Sequence, residues 1–154
     1  MPTPVNASEW RKEMKLTGFT PLFTERYLKQ YELAYTDERT GAEKRYEIVS
    51  RHAYVSKDEV ATLTDGVSMV VFQEGRLLLL REFRLGINRE IYNLCAGMFE
   101  KGETAKDCIR RELKEETGLT LDRIFAVFPP SYAAVAISDI RTQIALISAK
   151  GTPR

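Results

Sequence analysis

From Ile91 the sequence runs through a short apolar stretch to Cys95, crosses a loop from Ala96 to Glu103 that carries Gly97 and Gly102, and enters a segment of helical period ending at Gly118. A helix advances about 100° per residue, so with Ala105 at zero, Cys108, Ile109 and Leu113 fall at about −60°, +40° and +80° and form a core-facing stripe. Glu112 and Glu116 fall at about −20° and +20°, in the middle of that stripe, while Arg110 and Lys114 point to the opposite side. Two acids thus occupy positions where the pattern asks for apolar residues. The unit predicted is strand, loop, helix from about Ala105 to Thr117, and a glycine stop at Gly118.

Burying an ionised carboxylate is costly without a compensating cation, and like charges one turn apart repel. An arginine such as Arg84 or Arg111 could supply the positive charge, and so could a divalent metal ion, for which carboxylate oxygens are suitable ligands. For most Glu pairs the better expectation is an ordinary charge-rich helix whose side chains bend to water. Here Glu115 adds a third acid at about −80°, beside the stripe. Three acids over one and a half turns make a cluster too acidic for one arginine, which points to Mg²⁺ or Mn²⁺.

The remainder of the chain supplies a sheet. Tyr27 to Tyr35 and Lys44 to Arg51 have strand character, and the turn-forming residues Thr36 to Gly41 between them predict an antiparallel hairpin. Gly66 to Gln73 and Arg76 to Phe83 are apolar runs separated by Glu74-Gly75, predicting a tight hairpin of buried strands. Arg123 to Phe128 and Thr142 to Ser148 read as strands flanking the loop Pro129 to Asp139. Up to about Thr20 the chain reads as an arm, with Asn6 and Glu9 as a weak capping signal for a short helix. One α+β domain without repeats or linkers is expected, with residues 1–26 as an N-terminal arm and 27–154 as the domain.

Composition narrows the classes of function. With 23 Lys and Arg against 22 Asp and Glu, the chain of 154 residues lacks the basic coat of a non-specific nucleic-acid binder. No apolar run approaches the roughly 20 residues of a membrane helix, and Met1 to Met14 lacks the apolar core of a signal peptide, so a cytoplasmic protein is expected. Cys95 and Cys108 form neither a disulfide framework nor, with the single His52, a zinc site; both read as buried small residues. One histidine without a nucleophile motif disfavours a catalytic triad.

Gly97, Glu103, Arg111-Glu112, Leu113, Glu115-Glu116 and Gly118-Leu119 stand at the spacings of the Nudix box, and the chain resembles the Nudix hydrolase family. Arg81-Glu82-Phe83-Arg84, followed by Leu94-Cys95-Ala96-Gly97, resembles the ADP-ribose and nucleotide-sugar pyrophosphatase branch, as does the N-terminal hairpin. The resemblance implies an α/β/α sandwich with a mixed sheet and an N-terminal antiparallel hairpin arm. It further implies metal-dependent hydrolysis of the pyrophosphate bond of ADP-ribose or a related nucleoside diphosphate sugar, giving nucleoside monophosphate and sugar phosphate.

Carried over residue by residue, the resemblance makes Glu115, Glu116, Arg111 and Glu103 catalytic. Arg111 pairs with Glu103 to brace the loop, and Gly97 permits the turn into it. Metal ligands are Glu112, Glu115, Glu116 and the carbonyl of Ala96, holding Mg²⁺ with Mn²⁺ as substitute. Arg81 and Arg84 bind the diphosphate, and Arg51 is a further substrate contact. Asn93 and Cys95 stand where the branch has Glu and Pro, and Ile140 stands where it has Glu after Ser138-Asp139. The resemblance also implies a homodimer, and a stretch beyond Arg154 holding a further catalytic Glu and a closing helix. Two other readings are a nucleotide-sensing module that does not cleave and a nucleoside-triphosphate pyrophosphohydrolase.

Overall fold

A computed structural model describes residues 14–153, so the expected helix signal at Asn6 and Glu9 lies outside the described residues. The chain divides into two compact units, one of residues 14–63 with 134–140 and one of 64–133 with 141–153. The boundary expected at residues 26/27 falls inside the first of these, between two of its strands.

The first unit is a three-stranded antiparallel sheet in the order β1 (Met14–Thr24), β2 (Lys29–Asp37), β3 (Glu43–Ser50). The expected hairpin is β2 and β3, closed by an Asx turn in which Asp37 Oδ1 accepts from the backbone N–H groups of Arg39 and Thr40 at 2.9 and 3.0 Å. Residues 14–24, expected as arm, instead form β1, whose pairing with β2 shifts register between Pro21 and Phe23. Proline has no N–H for a ladder and is confined to edge strands and irregularities, and β1 is such an edge. Tyr31 and Leu33 alternate inward from β2 and pack with Ile48 and Tyr54. Segment 134–140 is tied on by a bond from Val49 N–H to the Ile137 carbonyl at 2.9 Å and by the Tyr54 hydroxyl donating to the Asp139 carboxylate.

The second unit contains β4 (Gly66–Gln73), β5 (Arg76–Leu78), β6 (Leu80–Arg84), β7 (Arg89–Asn93), β8 (Cys95–Met98), α1 (Ala105–Thr117), β9 (Thr120–Val127), β10 (Ser131–Tyr132) and β11 (Arg141–Lys150). Its sheet is mixed: β4 and β11 are parallel, β5 and β8 pair antiparallel with β4, and β9 and β10 pair antiparallel with β11. The β4–β5 turn places both Glu74 (φ 50) and Gly75 (φ 75) in the left-handed region, as a tight two-residue hairpin requires.

The run expected as a single strand from Arg76 to Phe83 breaks at Leu79. β8 already pairs with Gly66 to Met69 of β4, whereas β5 takes Val71 to Gln73, so β6 turns away and forms a two-stranded ribbon with β7. α1 packs on one face of the sheet: Cys108, Ile109 and Leu113 meet Val67, Met69 and Val71 of β4 and Ala145, Ile147 and Ala149 of β11. Burying each large aliphatic side chain contributes about 1.5–3 kcal/mol, enough to hold α1 whatever its charged end does. The fold is α+β with a mixed sheet, as expected, and α1 is the one α-helix among the described residues. No helix there is long and apolar enough to cross a membrane.

Candidate metal and phosphate site

The acidic end of α1 lies against β8 because glycines remove what would keep the two apart. A Cβ on Gly97 would fall 1.9 Å from Cδ of Glu112, and one on Gly66 would fall 2.1 Å from the Gly97 carbonyl oxygen. Gly97 is thus a strand residue permitting close approach rather than the turn residue expected. The left-handed turn comes later, at Gly102 (φ +79). The Thr104 hydroxyl then caps α1 by accepting from Asp107 N–H at 3.3 Å, and Gly118 (φ 76) ends it with an N–H bond to the Lys114 carbonyl at 3.0 Å.

Arg111 is the hub. Its Nε and Nη2 donate to the two oxygens of Glu103 at 2.9 and 2.8 Å, Nη2 also reaches the Met98 carbonyl at 3.0 Å, and Nη1 reaches Glu112 Oε1 at 2.7 Å and Glu115 Oε2 at 3.4 Å. One guanidinium thereby ties the loop, β8 and α1 together with the forked geometry that suits carboxylates. Glu103 further accepts from Glu100 N–H at 2.9 Å. The Arg111 guanidinium and that N–H hold the Glu103 carboxyl down from 4.5 to about 2, and Glu103 and Glu112 raise Arg111 above its ordinary value.

Glu116 is oriented differently. Its Oε2 accepts from Ala96 N–H at 3.2 Å. Burial, then the Glu116 carboxylate, pushes the Cys95 thiol up, and burial pushes that of Cys108 up to about 12. Both cysteines are free and buried, as their expected packing role requires.

Among the described residues no three His, Cys, Asp or Glu side chains converge as a ready-made metal cage. Glu112 and Glu115 face Arg111 and Glu116 faces β8. The donor set nevertheless fits a hard divalent cation in its chemistry: carboxylate oxygens of Glu112, Glu115 and Glu116 project from one part of α1, with Glu116 against the backbone of Ala96.

Arg81 and Arg84, two of the arginines expected to meet substrate, are not gathered. Arg84 pairs with Glu82 at 3.1 Å, and Glu82 also accepts from the Asn93 amide at 2.8 Å. Arg81 pairs with Glu90 and is register partner of Tyr92. Strand alternation puts residues three apart on opposite faces, so Arg81 and Arg84 leave the ribbon in opposite directions. Arg51 follows β3 in the first unit, where its carbonyl accepts from Lys29 Nζ at 3.3 Å. The sequence did not disclose the Met98 carbonyl, Gly66 or the Ala96 N–H that meets Glu116. A carbonyl leaves no trace in residue identity, and Gly66 read only as the start of a strand.

A family model described as the NUDIX domain matches residues 62–147. The chain is similar to an ADP-ribose pyrophosphatase of Bacillus subtilis (strain 168), 36% identical over 70 residues, which covers 45% of this chain and 38% of that protein. It is also similar to a protein of Caenorhabditis elegans described as putative nudix hydrolase 2, 36% identical over 69 residues, 42% of this chain and 31% of that one. The matched stretches thus span less than two fifths of either relative. A solved structure described as an ADP compounds hydrolase superposes with a TM-score of 0.73 at 17% identity, over 92% of this chain and 70% of its own, a likeness of fold.

Proposed function

The chain belongs to the NUDIX family, and from that premise we infer that it is a pyrophosphatase hydrolysing ADP-ribose or a related nucleoside diphosphate sugar. The observation that carries this reading is the packing of the acidic end of α1 on β8, with Arg111 fixing Glu103 and Glu112 while Ala96 N–H holds Glu116. Nudix hydrolases generally need a divalent metal; we assign Mg²⁺, with Mn²⁺ as substitute, to Glu112, Glu115, Glu116 and the carbonyl of Ala96. Bound there, the cation supplies Lewis acidity towards phosphate oxygens.

The chain's own residues do the rest. Arg111 keeps the loop and α1 in register and restrains Glu112. Arg84 leaves Glu82 to neutralise charge gathering on the phosphate oxygens, Arg81 does so from the other face of the ribbon, and Arg51 contacts the substrate. Water adds to one phosphorus as its bond to the bridging oxygen breaks, so the bridging oxygen departs on the other phosphate and the products are nucleoside monophosphate and sugar phosphate. The same reading includes a homodimer and, in keeping with two free thiols, a cytoplasmic setting.

A turnover panel of ADP-ribose, nucleotide sugars and nucleoside triphosphates tests the substrate class. Preference for sugar-linked diphosphates supports the reading, and preference for triphosphates replaces it with a triphosphate pyrophosphohydrolase. The pairing of Glu112 and Glu115 with Arg111 favours, as second reading, a sensor that binds without cleaving. Calorimetric binding of ADP-ribose with no monophosphate released would establish that instead.

A further inference from the structure

Arg84 and Arg89 are register partners on the β6–β7 ribbon, so their side chains leave the same face directly opposite one another. The turn between them brings this about: Leu85–Ile87 is followed by Asn88 in the left-handed region (φ 51), which asparagine tolerates, with its N–H bonded to the Leu85 carbonyl at 3.2 Å. Like charges directly opposite on a sheet are destabilising. Strand alternation puts one acid on that face, Glu82, whose Oε1 lies 3.1 Å from Arg84 Nε and accepts from the Asn93 amide at 2.8 Å. Among the described residues no carboxylate pairs with Arg89, so this face keeps an unbalanced positive charge. The other face is balanced, since Arg81 there pairs with Glu90.

The two faces also differ in exposure. Arg81, Phe83, Glu90 and Tyr92 are exposed, whereas Glu82, Ile91 and Asn93, on the face of Arg84 and Arg89, are half-buried. Asn93 leads directly into β8, its Oδ1 accepting from Leu94 N–H at 2.9 Å. The surplus charge therefore belongs to the sheltered face, the one continuous with the strand that carries Ala96.

We propose that Arg89 is a further phosphate-binding residue, which with Arg84 forms a two-guanidinium clamp for a phosphate group of the substrate. The inference rests on the reading that Arg84 meets the diphosphate. Each guanidinium presents a fork of donors that suits phosphate oxygens, and an anion between the two removes the repulsion that the free ribbon bears.

The test is binding of the methylene analogue of ADP, whose P–C–P bridge water does not cleave. Titration calorimetry in Mg²⁺ would compare the wild-type chain with Arg84→Ala, Arg89→Ala and Arg89→Glu, and thermal melts without ligand would follow the fold of each. Arg84→Ala and Arg89→Ala are each expected to bind the analogue about tenfold more weakly. Arg89→Glu is expected to bind more weakly still, yet to melt no lower than wild type, because an acid there would pair with Arg84. Wild-type affinity in Arg89→Ala, with Arg84→Ala impaired, would overturn the clamp alone. So would an Arg89→Ala that loses affinity only in step with a lowered melting temperature, since Arg89 would then serve the fold. Wild-type affinity in Arg84→Ala, or no binding of the analogue by the wild-type chain, would overturn the reading of Arg84 and the inference with it.

Discussion

The acidic end of α1 and the β6–β7 ribbon carry charge in opposite ways. On α1, Arg111, Glu103 and Glu112 are largely shielded, with side-chain exposures of 24%, 10% and 15%, and the bonds from Arg111 to Glu103 and to the Met98 carbonyl join helix to loop and strand. On the ribbon, Arg81 and Arg84 are 65% and 51% exposed and pair with acids of the ribbon itself. The first arrangement is rigid before any ligand arrives. The second must break its own ion pairs to meet a phosphate, at small cost because exposed pairs are worth less than about 1 kcal/mol. On the proposed assignment this difference has a use, since metal ligands demand fixed geometry whereas phosphate charge can be met by side chains that move.

Glycine substitutions give the sharpest contrast. Gly97→Ala would drive its Cβ into Glu112, and if Glu112 is a ligand as proposed, its displacement by an ångström costs on the order of a hundredfold in turnover. Nothing lies within 4 Å of a Cβ at Gly86, in the turn of the ribbon, so Gly86→Ala should leave turnover and melting temperature near wild type. Equal effects at the two glycines, measured by monophosphate release, would erase the distinction between the regions.

Arg111→Lys comes next, expected to lower turnover about 10- to 100-fold, because a lysine keeps the charge but not the fork joining Glu103, Glu112 and the Met98 carbonyl. Arg84→Ala should be milder, raising KM about tenfold with the melting temperature nearly unchanged, since one charge-assisted phosphate contact is lost from an exposed site. A collapse of stability in Arg84→Ala would show that the ribbon is braced in the same manner as α1.

The smallest effect is a pH dependence. Glu103 is lowered from 4.5 to about 2 in the folded chain, so its contribution to stability is full above pH 4.5 and is lost as pH falls towards 2. Acid unfolding of the wild-type chain and of Glu103→Gln should therefore differ above pH 4.5 and converge near pH 2. Curves parallel throughout that window would mean that Arg111 does not depress Glu103.

The same two regions differ in how far the sequence discloses them. α1 was legible from its period and Gly118, and the acids on its apolar stripe pointed to the site because charges there need partners. The β4–β5 turn was legible from Glu74-Gly75. The break at Leu79 was not, since it follows from β8 taking the edge of β4 that the run from Arg76 would otherwise have used. Nor was β1, whose partner lies across a separate turn, or the part played by Gly97, which depends on how closely two elements approach. Arg111 could be paired with Glu103 only through a family likeness, and its bond to the Met98 carbonyl has no signature in side-chain identity.

The most direct measurement is release of AMP from ADP-ribose by the wild-type chain, followed by chromatography with Mg²⁺ and with excess chelator, alongside Glu116→Gln. The account predicts AMP and ribose phosphate in equal amounts with Mg²⁺, abolished by the chelator and nearly abolished by the substitution. AMP release indifferent to the chelator or to Glu116→Gln would contradict it, as would tight binding of ADP-ribose with no AMP formed.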